Sequence, residues 1–281
     1  MKINLAKSAG FCFGVKRAIN IAMETAKTNQ PVLMLGDIVH NEDVVKKIQN
    51  SGVRKIKRLC QGKGKTLLIR AHGCSKKILQ RAKKSGYLII DATCPMVKEI
   101  HAIVKNLENR GFRIIVIGDK SHDEVKGIVG QLKTKAIIID NLSNIPFKKI
   151  SSIKKAGVVV QSTQNLDKVE EIISILRKNI SKLEFHNTIC RPTRSKQDEI
   201  KVMPLKNDVM IIIGSKTSAN TKRIYEISKS LNKRSYWVNS SNQIKDSWLA
   251  KAKNTGITAG ASTPESTIQE VVQKIKALCA V

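Results

Sequence analysis

Short apolar runs alternate with amphipathic segments along the whole chain. Continuous apolar runs such as 137–139 and 210–213 are typical of strands that are covered on both faces, as in parallel sheets. The predicted strands cover residues 3–6, 32–35, 66–69, 87–90, 114–117, 136–139, 157–160, 209–213, 235–238 and 257–259. Segments with helical periodicity follow most of them, at 15–28, 76–84, 96–108, 166–178, 220–231 and 265–278. The chain is therefore predicted to be an α/β protein with mostly parallel sheets.

Three cysteines share one context in this pattern. Cys12 follows the predicted strand 3–6, Cys94 follows the strand 87–90, and Cys190 precedes a polar helix. They mark off blocks of roughly ninety residues, which predicts a three-fold repeat of small βα domains. The predicted domains cover residues 13–94, 95–190 and 191–281, with the segment 1–12 joining the third. The length also permits a single barrel of eight βα units, which is the alternative fold.

The chemistry of these cysteines points to a metal. The chain has six cysteines and no CxxC pair, so the spacing of a zinc ribbon is absent. A single cysteine is most often a small buried hydrophobic residue, and that is the alternative for each of the three. Their shared position favours an iron–sulfur site, and Cys94-Pro95 is typical of the end of a ligand run. Three thiolates on a four-iron cluster would leave one iron open.

The formal net charge of +29 makes a nucleic-acid-binding protein one alternative. Basic clusters lie at 54–58 and 63–65, but aromatic residues make up only 4% of the chain, which leaves few platforms for stacking bases. We interpret the excess of lysine as a solvated basic surface. Such a surface would favour anionic substrates or an acidic electron donor, and no nucleic-acid partner is expected.

The sequence also indicates in which cellular compartment the protein lies. No run approaches the roughly eighteen apolar residues of a membrane span. The first residues, 1–5, read as a strand and not as a signal peptide or transit segment. Six cysteines without close pairing suit a reducing compartment. We therefore expect a cytoplasmic protein that does not cross a membrane.

Imidazole side chains follow several predicted strands. Three of the five histidines do so, namely His40, His72 and His122. Ligands of parallel sheets collect at the carboxyl ends of strands, so these imidazoles are candidates for a common site.

Hydroxyl and amide side chains occupy the remaining strand ends, at 161–163, 215–220 and 262–263. The segments 218–220 and 262–264 also read as helix starts, and capping alone would explain either one. Helix N-termini favour phosphate, because unpaired backbone N–H groups and the helix dipole attract anions. Two helix starts together with the imidazoles predict a site for a diphosphate.

These motifs together resemble the LytB (IspH) family of 4-hydroxy-3-methylbut-2-enyl diphosphate reductases, essentially from end to end. The resemblance depends on the ordered segments 10–18, 38–41, 71–73, 91–95, 122–125, 161–163, 188–190, 214–220 and 258–262. Motifs in a fixed order are far more specific than any one of them alone.

The resemblance implies three small βα domains arranged with pseudo-three-fold symmetry around a central iron–sulfur cavity. It implies one [4Fe-4S] cluster with an open iron, held by Cys12, Cys94 and Cys190. It also implies that Glu124 is the proton donor. The residues it assigns to the substrate and its diphosphate are His40, His72, His122, Ser218, Ala219, Asn220 and Ser262, with Ser162 or Thr163 contacting the substrate hydroxyl.

The implied activity is the reductive dehydroxylation of (E)-4-hydroxy-3-methylbut-2-enyl diphosphate to isopentenyl and dimethylallyl diphosphate. This is the last step of the methylerythritol phosphate (non-mevalonate) route to isoprenoids, and a ferredoxin or flavodoxin would supply two electrons. A cluster-bearing hydro-lyase is the alternative among enzymes. A non-catalytic iron–sulfur or nucleic-acid-binding regulator is the alternative outside them.

The chain departs from the family pattern at four positions. Ser162 stands in a motif that usually reads Gln-Thr-Thr, and Ala219 stands where Ser is frequent. Asp123 replaces the usual Pro after His122, and Cys74 replaces an apolar residue. Which of Ser162 and Thr163 acts on the substrate stays open at this point.

Overall fold

The computed structural model describes residues 1–28 and 31–279, in which strands and helices alternate as the sequence predicts. The strands are β1 (Lys2–Leu5), β2 (Val32–Leu35), β3 (Arg54–Ile56), β4 (Thr66–Ile69), β5 (Leu88–Asp91), β6 (Arg113–Ile117), β7 (Ile137–Ile139), β8 (Lys155–Val160), β9 (Lys182–Phe185), β10 (Val209–Ile213), β11 (Ser235–Val238) and β12 (Asn254–Ala259). The helices are α1 (Phe13–Ala26), α2 (Glu42–Asn50), α3 (Lys76–Lys84), α4 (Pro95–Asn109), α5 (Asp123–Val129), α6 (Phe147–Ile150), α7 (Leu166–Asn179), α8 (Arg191–Val202), α9 (Ala219–Leu231), α10 (Asp246–Leu249) and α11 (Glu265–Cys279).

The described strands form three open sheets of four strands each, and every pairing is parallel. The strand orders are β11-β10-β12-β1, β3-β2-β4-β5 and β7-β6-β8-β9. In each sheet the first three places are taken by strands in the same relative order along the chain. The fourth place is taken by the next strand along the chain in the second and third sheets, but by β1 in the first. The predicted α/β fold with parallel sheets is thus confirmed. The barrel of eight βα units is wrong for the part of the chain that the structure describes.

Two units can be distinguished within the chain. The first unit comprises Met1–Lys16, His40–Val45 and Arg191–Val281 and contains the sheet β11-β10-β12-β1. The second unit comprises Arg17–Val39 and Lys46–Cys190 and contains the other two sheets. The domain boundaries 13–94, 95–190 and 191–281 stay a prediction, and residues 280 and 281 lie outside the described residues.

In the first unit the continuous apolar strand β10 is buried along its whole length because helices cover both faces of its sheet. Ile211 and Ile213 pack against α11, whereas Met210 and Ile212 pack against α8 and α9. This alternation explains why the strand has no polar face.

In the second unit the sheet β7-β6-β8-β9 is covered in the same way. Ile115 and Ile117 face α7 on one side, and Ile114 and Val116 face α4 and α5 on the other. The helices α4 and α5 are therefore fixed by the core, and both begin at the carboxyl end of the sheets, where the candidate site residues lie.

The helices of the described ranges are too short to cross a bilayer. The longest, α4 and α11, have 15 residues each, and none combines sufficient length and apolar character for a membrane span.

Candidate active site

The residues that the sequence singles out follow corresponding strands of the three sheets. The fourth strands β1, β5 and β9 lead to Cys12, Cys94 and Cys190. The second-placed strands β10, β2 and β6 lead to Ser218–Asn220, His40 and His122–Glu124, and the third-placed strands β12, β4 and β8 lead to Ser262, His72 and Ser162–Thr163. Parallel strands end at one edge of their sheet, so each sheet presents its own set of polar groups there.

In the first unit, Ser218 and Asn220 lie at the start of α9. Ser218 caps this helix, because its Oγ accepts a hydrogen bond from the backbone N–H of Thr221 at 3.3 Å. Asn220 is only 4% exposed, and neither its Oδ1 nor its Nδ2 has a hydrogen-bond partner in the described part of the protein. Buried amides are almost always bonded, so this amide is suited to a polar ligand. Ala219 between them offers a backbone N–H but no side-chain donor.

The approach to this helix start requires glycine. Gly214 has a φ of +149°, and a Cβ at this position would lie 2.7 Å from Thr221 Oγ1 and 2.9 Å from Thr263 Oγ1. A larger residue would push the loop after β10 away from the loop after β12. The two hydroxyl-bearing loops of the first unit can therefore lie close together.

The segment around His40 also belongs to the first unit, where side-chain hydrogen bonds fix it to both loops. Ser262 Oγ donates to the backbone carbonyl of His40 at 2.9 Å. Glu42 Oε1 accepts from Ser215 Oγ at 2.8 Å. Three predicted diphosphate-binding segments, those of His40, Ser218–Asn220 and Ser262, are thus joined within one unit.

Cys12 lies in a loop that is fixed on both sides. Its backbone N–H donates to Ala261 O at 3.1 Å, and its carbonyl accepts from Lys16 N at 3.0 Å at the start of α1. Beneath the loop lies Lys196, which is 3% exposed and donates to Gly10 O at 3.2 Å and Ala259 O at 3.1 Å, as well as to Ser8 O. This buried ammonium group ties the segment before Cys12 to the end of β12.

In the second unit, the carboxylate of Glu124 is bound by Ser162. Oε1 accepts from Ser162 N at 2.6 Å, and Oε2 accepts from Ser162 Oγ at 2.7 Å. Glu124 is 1% exposed, and its burial raises the pKa of its carboxyl group, although the two hydrogen bonds from Ser162 act in the opposite direction. A buried carboxyl group with a raised pKa is suited to holding and delivering a proton.

The same geometry distinguishes the two neighbouring hydroxyl groups. The hydroxyl of Ser162 donates to Glu124, whereas that of Thr163 accepts a hydrogen bond from Gln161 Nε2 at 3.1 Å. Ser162 is therefore the hydroxyl that is connected to the acidic group.

His122 and His72 lie next to each other in the second unit. His122 caps α5, because its Nδ1 accepts from the backbone N–H of Glu124 at 3.2 Å. The rings of His72 and His122 meet edge to face, with centroids 5.4 Å apart and an interplanar angle of 88°. Two imidazoles and the carboxyl group of Glu124 thus come from neighbouring loops.

Cys94 and Cys190 each directly precede a helix of the chain, α4 and α8 respectively, as Cys12 precedes α1. All three side chains are half-buried. None of the six cysteines, all of which belong to the described residues, forms a disulfide. The N-terminus of a helix favours negative charge, so this position suits a thiolate ligand.

His101, which the sequence did not place in the site, lies beneath the His72 loop. It is 8% exposed on α4, and a Cβ on Gly73, whose φ is +73°, would lie 2.9 Å from its Cε1. Burial, and to a lesser degree Lys105, lowers the pKa of this imidazole to about 4, whereas Asp91 acts to raise it. The ring is therefore neutral at physiological pH and fills space under the loop.

This burial predicts a pH dependence of stability. Because the pKa of His101 is lower in the folded chain, protons bind more tightly to the unfolded chain, and stability is lost as the pH falls from about 6.5 towards 4. We expect His101 to account for a loss of roughly 2 kcal/mol in the free energy of unfolding between pH 7 and pH 5. Urea unfolding at both pH values tests this. The variant His101→Gln should lack that part of the loss, and the control His186→Gln should retain it; equal losses in both variants would contradict the assignment.

The chain is similar to known proteins over its whole length. A family model described as LytB protein matches residues 3–276. The 4-hydroxy-3-methylbut-2-enyl diphosphate reductases of Aquifex aeolicus and Campylobacter hominis are 37% and 39% identical to it, with 99% of this chain and 96% and 100% of those proteins covered.

Two solved structures are similar as well. One is a structure of (E)-4-hydroxy-3-methyl-but-2-enyl diphosphate reductase, described as the terminal enzyme of the non-mevalonate pathway, with a TM-score of 0.73, 36% identity and coverage of 99% of this chain and 100% of that one. The other is the E-1-hydroxy-2-methyl-but-2-enyl-4-diphosphate reductase of Plasmodium falciparum, with a TM-score of 0.89, 30% identity and coverage of 97% and 87%.

The fold and the comparisons agree on a class of protein, the α/β proteins with parallel four-stranded sheets to which these reductases belong. Within this class the chain belongs to the LytB protein family. The family assignment made from the sequence is confirmed.

Proposed function

We propose that this chain reductively removes the hydroxyl group of (E)-4-hydroxy-3-methylbut-2-enyl diphosphate and forms isopentenyl and dimethylallyl diphosphate. The relatives named for this reductase match essentially the entire chain. The observation that carries the proposal is the buried Glu124 carboxyl group, which Ser162 holds at a strand end next to two imidazoles. The reaction takes up two electrons and two protons and releases water, so a positioned proton donor is required.

For the cofactor we propose one [4Fe-4S] cluster held by Cys12, Cys94 and Cys190. The chemistry of the donor set fits, because each cysteine is half-buried, outside any disulfide and at the start of a helix. The backbone N–H of Val15 also points at Cys12 Sγ from 3.5 Å, as a donor to a thiolate would. When bound, such a cluster supplies electrons to the substrate from a site with an open iron. The protein's part is to hold the thiolates and to exclude other ligands.

For the diphosphate group we propose binding by the residues that the resemblance assigned to it, namely His40, His72, His122, Ser218, Asn220 and Ser262. The unpaired amide of Asn220 and the N-terminus of α9 offer donors to an anion. Ala219 contributes only its backbone. A hydroxyl at position 219 would add a side-chain donor that this chain lacks.

Proton delivery is assigned to Glu124, with Ser162 as the hydroxyl that faces the substrate. A carboxylate would repel a diphosphate, so the role of Glu124 lies at the hydroxyl end of the substrate. Thr163, whose hydroxyl is bonded to Gln161, has a supporting role.

A ferredoxin or flavodoxin is the electron donor that we propose. The formal net charge of +29 favours association with an acidic partner, because opposite charges steer encounter. Thiols and thiolates persist in a reducing compartment, and we propose the cytoplasm.

Anaerobic turnover tests the function. Protein reconstituted with iron and sulfide should convert the substrate to the two products only when a chemical reductant is present. Conversion that needs no reductant would favour the hydro-lyase alternative instead.

Removal of the imidazoles should weaken substrate binding. We expect His40→Ala and His72→Ala each to raise the Kd roughly 10- to 100-fold, because each removes a donor to a charged group worth about 1.5–3 kcal/mol. The kcat at saturating substrate should change much less. Substrate titration followed through the absorbance of the cluster measures this. The matched control is His186→Ala, whose imidazole is bonded to Glu184 at 2.9 Å; an equal loss there would contradict the assignment.

A further inference from the structure

An ion pair connects the two loops of the second unit that carry His72 and His122. Arg70 directly follows β4, two residues before His72, and Asp123 lies between His122 and Glu124. Arg70 Nη1 donates to Asp123 Oδ2 at 2.5 Å. Neither residue is needed for the reaction as described above.

The ion pair is partly buried and has a further hydrogen bond to the loop of His72. The side chains of Arg70 and Asp123 are 17% and 24% exposed, so the pair is largely shielded from water. Arg70 also donates from Nε to Gly73 O at 3.4 Å, within its own loop. Its Nη1 lies 3.0 Å from the position that a Cβ on Gly36 would take, so a side chain at position 36 would crowd the guanidinium group. A pair held in this way differs from an exposed ion pair, which contributes little.

Other contacts hold the far end of α5 against the His72 loop. Gln131 Nε2 donates to Cys74 O at 2.9 Å, and Lys76 N donates to Gly130 O at 3.0 Å. The ion pair makes the corresponding link at the beginning of α5, where His122 and Glu124 lie. The contact between α5 and the His72 loop thus has a link at each end, and the edge-to-face pair of His72 and His122 lies at the beginning of the helix.

We propose that the Arg70–Asp123 ion pair positions His72 and His122 for the substrate's diphosphate. Arg70 and Asp123 are thus positioning residues. The inference rests on the proposed function. It also gives a role to Asp123, which takes no part in the proposed reaction.

Substrate affinity in three variants tests the inference. Arg70→Met and Asp123→Asn should each raise the substrate Kd about tenfold, equivalent to about 1.4 kcal/mol. The substrate Kd of the double variant should not exceed that of the weaker-binding single variant, because the same ion pair is lost in each. The KM should rise with the Kd, while kcat should stay within a few-fold of wild type.

The signs of the changes in Kd distinguish positioning of the two imidazoles from a simple effect of net charge. If only the net charge mattered, Arg70→Met would weaken binding of the anionic substrate and Asp123→Asn would tighten it, and the two effects would cancel in the double variant. Opposite signs would therefore overturn the inference.

A fourth variant controls for loss of folding. Asp123 is the first residue of α5, and His122 before it has φ −69° and ψ 140°, which a following proline tolerates. Asp123→Pro should keep the helix start and lose the carboxylate. We expect it to rigidify the backbone and to bind substrate more tightly than Asp123→Asn. Binding equal to or weaker than that of Asp123→Asn, in a variant with a wild-type melting temperature, would count against loop positioning.

The matched control is Arg110→Met, which breaks the bidentate pair of Arg110 with Glu184 (2.8 and 2.7 Å) in the same unit. Its Kd should equal that of wild type. If the wild-type protein failed to bind the substrate, the proposed function would fail. If wild type bound and the single variants stayed within twofold of it, only the inference would fail.

Discussion

The variant Glu124→Gln is expected to lower kcat by about 10² or more while leaving the substrate Kd within a few-fold of wild type. Glutamine has the size of glutamate and can still accept from Ser162 N, but it has no proton to give. The loop should therefore keep its shape and lose only the transferable proton. Steady-state kinetics with a chemical reductant, together with substrate titration, separate the two effects.

The matched control is Glu108→Gln. Glu108 also accepts backbone N–H bonds, from Lys133 at 3.1 and 3.0 Å and from Thr134 at 2.8 Å, but it lies outside the candidate site. It should leave kcat unchanged. Turnover of Glu124→Gln at a near wild-type rate would move the proton donor to another group.

The raised pKa of Glu124 also predicts that kcat depends on pH. Because burial raises it, the carboxyl group stays protonated to a higher pH than an ordinary glutamate does. The kcat should fall as the pH rises through that pKa, and the Glu124→Gln variant should lack this step. A pH profile that was identical in both proteins would contradict the assignment.

The second large effect is expected at the three strand-end cysteines. Cys12→Ser, Cys94→Ser and Cys190→Ser should each reduce iron from about four per chain to less than about one, because a cluster with only two thiolates is poorly held. Anaerobic iron and sulfide analysis after reconstitution measures this. A stable cluster in any of the three would refute the ligand set.

The other three cysteines are the matched controls. Cys60 is exposed with its Sγ 3.2 Å from Tyr87 Oη, and Cys279 is exposed at the end of α11. Cys74 is buried, and burial together with Asp91 raises the pKa of its thiol to about 11, although Arg70 acts to lower it. It is therefore a poor thiolate. Serine at each of these positions should leave the iron content unchanged.

Much of the fold could be predicted because its buried strands carry continuous Ile and Val runs. Strands β2, β4, β10 and β11 begin and end at the predicted residues. The edge strands β3 and β9 were not predicted, since Arg54, Lys55 and Lys182 give them a polar composition. An edge strand is stabilised by backbone pairing on one side and needs no apolar run.

The candidate site residues could be found because each follows a strand, and strand ends in a parallel sheet share one edge. The residues that support these side chains could not be found from the sequence. Lys196 donates to backbone carbonyls, which have no sequence signature, and Glu42 pairs with Ser215 across 173 positions of the chain. Arg70, which binds Asp123, is likewise 53 positions away from it. Such partners are set by the tertiary fold.

The place of β1 in its sheet has a consequence for biosynthesis. β1 pairs with β12, Leu5 opposite Ile257, so β1 cannot pair in its sheet until the ribosome has added β12, at the other end of the sequence. At about 5–20 residues per second, this delay amounts to roughly 10–50 s. The backbone of Cys12, which bonds to Ala261, takes its final position only after that interval. A nascent chain can thus fold β2 to β9 and expose two of the proposed thiolate ligands well before the third is in place, so assembly of the proposed cluster would be a late step in folding.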